Sequence, residues 1–397
     1  MSPLKISWKS LWSKPLSSAL NIMLIAFGTG ILTILLLASN QIAQKLDNNS
    51  KDIDLVVGAK GSPLQLILSS IYYIDFPTGN IPLKEAKELS RSPFVKRAVP
   101  LALGDNYNGT RIVGTDSNFV GIYKLKVQSG KFWEKDFETT IGSAVAESQH
   151  LKIGDTFYGA HGLTGNSDVH KSHQYVVAGI LEPQGNVTDN LILTNIASVW
   201  KMHDDHEETE AHEHGDEGKE LTSLLIQYRS PMSVAMFPRM VNETTNMQAA
   251  SPAQESTRLF SLIGVGVETL QWFAVLIMLI AAISVFVNLY NSLKERKYDL
   301  AIMRTLGASR GKLFLIIIAE GIILTLAGTI IGIALGHLAL QFIGAYQESS
   351  QARLSGLIFL KDEIYLFVAG LAIGIFAAII PAIQAYRSNI SRILSKN

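Results

Sequence analysis

The sequence predicts a membrane protein: a four-helix transmembrane bundle with a large α+β domain inserted between helices 1 and 2. Three observations carry that prediction. Apolar residues make up 48% of the 397-residue chain and charged ones 17%, with a positive mean hydropathy, a balance that favours a membrane protein over a soluble enzyme. Four apolar runs reach the roughly 20 residues that span hydrocarbon. Between the first and second of them lies a long stretch, 41–256, in which no segment can cross a bilayer. Two global features exclude other classes. Lys plus Arg (34) equals Asp plus Glu (34), so no net charge points to nucleic acid. Cysteine is absent, which removes disulfides, thiolate metal sites and cysteine catalysis together.

Residues 1–18 carry Lys5, Lys9 and Lys14 and no acid, interleaved with Leu4, Ile6, Trp8, Leu11 and Trp12. A basic, aromatic segment of this kind lies along a membrane interface. The uncharged run Ala19 to Ala38 follows. It is longer than a signal-peptide core and lacks a good small-residue cleavage site, so an uncleaved first span is expected at 19–40.

From 41 to 256 the texture is that of a water-soluble α+β domain. Short β-type runs recur at Asp54–Val57, Arg111–Val113, Tyr175–Ile180 and Leu221–Tyr228, punctuated by Gly, Asn, Pro and Asp. Helical pieces are expected at Leu83–Ser90 and Ile196–Met202. A domain of this size can bury its own core. Between Met202 and Leu221 the pattern breaks: the run HDDHEETEAHEHGDEGKE holds nine acidic residues, four histidines and one lysine. It can bury nothing and reads as a loop at 203–220.

A second helical pattern extends from about Gln254 to Asn291, about 57 Å at 1.5 Å per residue, against about 30 Å of hydrocarbon. The excess is expected to form a stalk, with Gln41 to Asn48 as its partner and the span itself at 257–291. A basic segment at 293–311 precedes the third span, 313–342. A short loop, 343–362, leads to the fourth span, 363–386, and a tail, 387–397. Charge sets the orientation. The segments assigned to the inner face carry Lys5, Lys9 and Lys14; Lys294, Arg296, Lys297, Arg304, Arg310 and Lys312; and Arg387, Arg392 and Lys396, whereas the short outer loop has only Arg353 and Lys361. This distribution puts both termini in the cytoplasm and the 41–256 domain outside.

No phosphate-binding G-x-x-x-x-G-K-[ST], no G-x-S-x-G and no H-E-x-x-H is present, so no catalytic residue is assigned. Gly328, Gly332 and Gly336 repeat every four residues in the third span, as do Gly370, Gly374 and Ala378 in the fourth. This register lets helix backbones approach closely, first within one subunit, with a dimer seam as the alternative. Glu320 lies about 10 Å into the third span, where an ionisable group is a functional candidate. The simpler reading pairs it with a nearby base such as Arg304 or Lys312. His337, toward the other end, reads as hydrogen-bonded structure. Among the remaining histidines, His203, His206, His212 and His214 stand among carboxylates, with His170 and His173 upstream. Imidazole with carboxylate suits zinc, so weak zinc capture stands beside an inert solvated loop.

The segment Leu293–Gly311 organises the rest. Leu300, Ile302, Met303 and Leu306 are expected to share one helical face, opposite the basic residues. Gly307 stands where that helix ends, which suits a glycine C-cap. The run Arg296-Lys297-Tyr298-Asp299-Leu300-Ala301-Ile302-Met303-Arg304-Thr305-Leu306-Gly307-Ala308 resembles the motif that follows the second span in the MacB, FtsX and LolC/LolE permeases of ABC transporters, the mechanotransmission family. Ile112-Val113-Gly114-Thr115, Ser129-Gly130-Lys131-Phe132 and Ile153-Gly154-Asp155 are similar to that family's periplasmic core domain. Glu320 also falls where many members carry glutamate. Asp299 replaces the usual glutamate, Asn389-Ile390 stand in place of the usual Asp-Pro, and the His/acid loop is not a family feature.

The resemblance implies a permease subunit in the bacterial inner membrane, itself without ATPase activity. ATP and Mg would belong to a cytoplasmic ABC ATPase dimer docking on Arg296, Lys297, Asp299, Leu300, Ile302, Met303, Arg304, Leu306 and Gly307. A second copy or a related permease would complete the complex, with a periplasmic adaptor, lipoprotein or hydrolase as further partners. Closure of the ATPase would then move the periplasmic domain, to export a substrate or extract it from the outer leaflet. The alternative is an FtsX-like signalling scaffold that activates a cell-wall hydrolase without transport. A metal-responsive sensor built on the histidine loop is a third reading.

Overall fold

A computed structural model describes residues 3–162, 173–204, 218–346 and 353–387. They form two compact units, whose boundaries fall at Ile42/Ala43 and Leu262/Ile263.

The first unit is helical, and its helices follow from composition and capping. An N-terminal helix, Pro3–Ser13, breaks at Lys14, and the first span begins at Pro15 and runs to Ser50. Proline is at home in a first helical turn, where its missing N–H has no partner to lose. The second long helix also opens on a proline, Pro252, and continues to Glu295, longer at both ends than the apolar pattern alone suggests. The third span is Arg310–Tyr346 and the fourth Ile364–Arg387, with Pro381 inside the latter. All four helices are long and apolar enough to cross a membrane.

Lipid is as apolar as leucine, so helices gain little by hiding leucine from it, and cohesion comes from close packing. The third span's glycines meet the first span. A Cβ on Gly328 would lie 2.7 Å from Ile25 Cβ, and one on Gly332 would lie 2.6 Å from Ala26 O; on Gly336 it would meet Thr33 Cβ at 2.7 Å. The fourth span's small residues meet the third span, with Gly370 against Thr329, and Gly374 against Thr325 and Gly321. Ala378 in turn packs 2.8 Å from where a Cβ on Gly321 would stand. Ile25, Leu324, Ala377 and Ala378 then close a core with Ala281, Val285 and Leu289 of the second helix.

The second unit is built on a mixed sheet. Its strands run in the order Met247–Ala250, Leu55–Ala59, Ser223–Tyr228, Val95–Tyr107, Thr110–Thr115, Ile192–Asn195, Glu138–Ile141, Tyr175–Leu181 and Val127–Gly130. Neighbours are antiparallel except Ile192–Asn195 on Thr110–Thr115 and Glu138–Ile141 on Tyr175–Leu181. Strand alternation sends side chains to opposite faces. Val56, Leu225, Val99 and Leu101 therefore enter one core, while Leu55, Val57, Leu224 and Ile226 enter another. Full burial of such a side chain stabilises by about 1.5–3 kcal/mol, and without cysteine these cores hold the unit.

The expected helices are found at Leu83–Ser90 and Ile196–Asp204. The run Leu221–Tyr228 divides: Glu220–Leu221 pairs with Ile81–Pro82, and Ser223–Tyr228 joins the large sheet. Thr222 marks the division, its hydroxyl accepting from Leu103 N at 2.9 Å. The central strand Val95–Tyr107 carries no clear signal in the sequence, because Pro100 and Gly104 interrupt its apolar pattern.

Candidate functional site

The segment after the second span folds as a short helix, Lys297–Thr305, held between two long ones. Arg296 is the hinge residue, at φ −96° and ψ 15°, outside the regular helix. The far end closes with two crossed hydrogen bonds: Ala308 N donates to Met303 O at 3.0 Å and Gly307 N donates to Arg304 O at 3.1 Å. This closure needs a left-handed residue just past the cap, which Gly307 supplies at φ +98°. Ser309 then starts the third span by accepting from Lys312 N at 3.2 Å. Gly307→Ala is expected to cost about 1–2 kcal/mol, the steric penalty of an L side chain in that region. Thermal unfolding of the full chain beside Gly311→Ala checks this, since a Cβ on Gly311 meets nothing within 4 Å.

The inward side of this segment is fixed by charge and packing. Arg296 Nη1 lies 3.0 Å from Glu320 Oε1 in the third span, and the same nitrogen donates to Ser10 Oγ of the N-terminal helix. Glu320 is only 1% exposed. Its partner is thus Arg296, not Arg304 or Lys312: the break before Lys297 turns the arginine back toward the third span. Ser7 Oγ donates to Ile316 O at 2.9 Å, Ser17 Oγ donates to Asn288 Oδ1 at 2.9 Å, and Lys14 pairs with Glu295. Leu300 sits in an apolar cluster with Leu293, Leu313, Ile316, Ile317, Ala382 and Ala385, against which Met303 packs.

The outward side differs from the expected single apolar face. Leu300 is buried and Met303 half-buried, but Ile302 and Leu306 are exposed, Leu306 by 82%. At about 100° per residue, positions 300 and 303 point one way while 302 and 306 point the other. Lys297, Tyr298, Asp299 and Arg310 are exposed with them, and Arg304 is half-buried. The segment therefore presents a mixed surface of two aliphatic side chains, an aromatic ring, an acid and two bases.

The metal candidates lie beyond what the structure describes. His203, His206, His212 and His214 lie outside the described side chains, as does His170. Among the described residues no group of three or more His, Asp and Glu is placed to hold a metal ion. The sequence reading missed Ser7, Ser10, Ser17 and Asn288. The serines' one available signal was their position on the inward side of basic, interfacial 1–18.

Four membrane-length helices, a short anchored helix between the second and third, and a separate mixed-sheet unit define the class, a membrane protein carrying a folded sheet module. The FtsX-like permease C-terminal family model matches residues 272–390, and the MacB-like periplasmic core domain model matches residues 18–243. The chain belongs to the MacB/FtsX-like permeases of ABC transporters. An uncharacterized ABC transporter permease of Methanocaldococcus jannaschii is 24% identical over 264 residues, covering 64% of this chain. The match spans 62% of that relative's length. The periplasmic region of MacB from Actinobacillus actinomycetemcomitans aligns at TM-score 0.35 and 11% identity, over 54% of this chain and 98% of that one. The extracellular domain of the noncanonic ABC-type transporter YknZ from Gram-positive bacteria gives TM-score 0.31 and 14% identity, over 50% and 99%.

Proposed function

We propose that this chain is the membrane subunit of an ABC transporter, worked by a separate ATPase dimer that grips the short helix Lys297–Thr305. The observation that carries the reading is the division of that helix. Its inward side is tied to the third span and the N-terminal helix through Arg296, Glu320 and Ser10, while Lys297, Tyr298, Asp299, Ile302 and Leu306 are free for a partner. A push on such an element moves the helices that hold it. ATP and Mg stay with the ATPase, and this chain performs no hydrolysis. Its basic segments face the cytoplasm of a bacterial inner membrane, and the mixed-sheet unit, inserted between the first and second spans, works on the far side. A second copy or a related permease completes the complex. The exported or extracted substrate, and any adaptor or lipoprotein, meets the chain through that outer unit.

Charge reversal tests the grip. Lys297→Glu combined with Asp299→Lys is expected to reduce stimulation of the reconstituted ATPase by at least about tenfold, equivalent to about 1.4 kcal/mol. The melting temperature should hold, since both side chains are exposed. Unchanged stimulation would reject this helix as the contact.

A further inference from the structure

The segment between the third and fourth spans is bound by its backbone to both the first and third spans. Gln41 of the first span donates from Nε2 to Ser355 O at 2.7 Å and accepts from Ser355 N at 2.8 Å, as a partner strand would. Gln341 Oε1 accepts from Gly356 N at 2.9 Å. Gly356 lies so close to the third span that a Cβ would stand 2.0 Å from His337 O. The fastening ends at His337. Its Nδ1 is 2.6 Å from Gly356 O, its Nε2 is 3.2 Å from Glu363 Oε2, and Phe359 stacks on the ring at 4.5 Å. His337 is 7% exposed and Glu363 6%.

Donor arithmetic fixes the protonation of this pair. A carbonyl only accepts, so Nδ1 must carry a hydrogen to bond Gly356 O. Nε2 is then either a second donor, in imidazolium, or a bare lone pair. Glu363 Oε1 already accepts from Leu360 N at 2.7 Å. The Nε2 to Oε2 contact therefore needs one proton between them: imidazolium with carboxylate, or neutral imidazole with carboxylic acid. With that proton gone, a lone pair faces a carboxylate in a buried site, and the contact becomes repulsive. We propose that His337 and Glu363 form a buried binding site for a single proton, and that this proton fastens the loop 353–363 to the third span. Phe359 stacks on the imidazole, and the neutral side chains of Gln41 and Gln341 hold the adjoining backbone at Ser355 and Gly356. The charged neighbours Arg353, Lys361 and Asp362 are exposed, as is Tyr365 at the start of the fourth span. Stripping that proton leaves the lone pair against the carboxylate and releases the loop.

The cysteine-free chain permits a direct test in the full protein, reconstituted in nanodiscs of neutral phospholipid. Half-buried Leu354→Cys reports release, and exposed Leu357→Cys corrects for thiol chemistry. The ratio of their labelling rates is expected to rise at least about fivefold between about pH 6 and pH 10, in keeping with a buried polar contact left unmade. Adding Glu363→Gln should keep the ratio low at every pH, because its amide donates permanently to neutral Nε2 while its oxygen still accepts from Leu360. Glu363→Ala should give a high ratio throughout. A flat wild-type ratio, or a Glu363→Gln variant that opens with pH as wild type does, overturns the proposal. If Glu363→Ala fails to fold, the glutamine variant decides the matter alone.

Discussion

Glu320→Ala is expected to destabilise the helical unit by about 3–5 kcal/mol, the cost of leaving one partner of a buried ion pair without the other. ATPase stimulation should be lost with it. Glu320 is 1% exposed and the side chain of Arg296 22% exposed, so solvent replaces little of the lost interaction. Arg296 would keep only Ser10, and the hinge that sets the direction of the short helix would lose its anchor. The double variant Arg296→Met, Glu320→Met separates the two consequences. Apolar side chains of similar size often restore stability when they replace a buried pair, but they cannot reproduce the directional tie to Ser10. Recovered melting with absent stimulation assigns the pair to positioning. A Glu320→Ala chain that melts and stimulates like wild type would show that the pair contributes neither.

Gly332→Val is the second large effect. A Cβ there meets Ala26 O at 2.6 Å, Thr29 Cβ at 2.8 Å and Ala26 Cα at 3.0 Å. Two of those atoms are backbone, which cannot swing aside as a side-chain tip can. Overpacking commonly costs about 1–3 kcal/mol, and a branched side chain against backbone belongs at or above the top of that range. The expected result is a first span separated from the third, read as early thermal aggregation of the detergent-solubilised chain. Gly264→Ala and Gly266→Ala are the controls. A Cβ at either meets nothing within 4 Å, so each should stabilise its helix by about 0.5–1 kcal/mol. Wild-type melting in Gly332→Val would contradict the close approach of the two spans.

Much of this architecture was readable from residues alone, for identifiable reasons. Long uncharged runs such as Ala19–Ala38 leave a helix as the only way to satisfy the backbone in lipid, so the spans could be located without any tertiary information. Gly307 was equally legible, because a glycine after a helix-prone basic run has few other uses. The failures occurred where distant residues decide. Arg296 reads as one of six similar bases, and only the fold shows that it turns inward to Glu320 while Lys297 faces out. Ile302 and Leu306 were expected to share one face with Leu300 and Met303, and only the packed helix shows that its turn sends them outward. Val95–Tyr107 becomes a strand through its partners on both sides, which outweigh Pro100 and Gly104. Gln41 and Gln341 carry no local signal at all, since their roles are set by the backbone of Ser355 and Gly356.

The second helix has 44 residues and no interior proline. At 1.5 Å per residue it is about 66 Å long. Its part within the helical unit, residues 263–295, is about 50 Å long, and as a straight lever it swings through about 4 Å at Ile263 for a tilt of about 5° at Glu295. Angular play too slight to disturb side-chain packing at one tip thus becomes, at the other, a displacement approaching the gap between neighbouring β-strands.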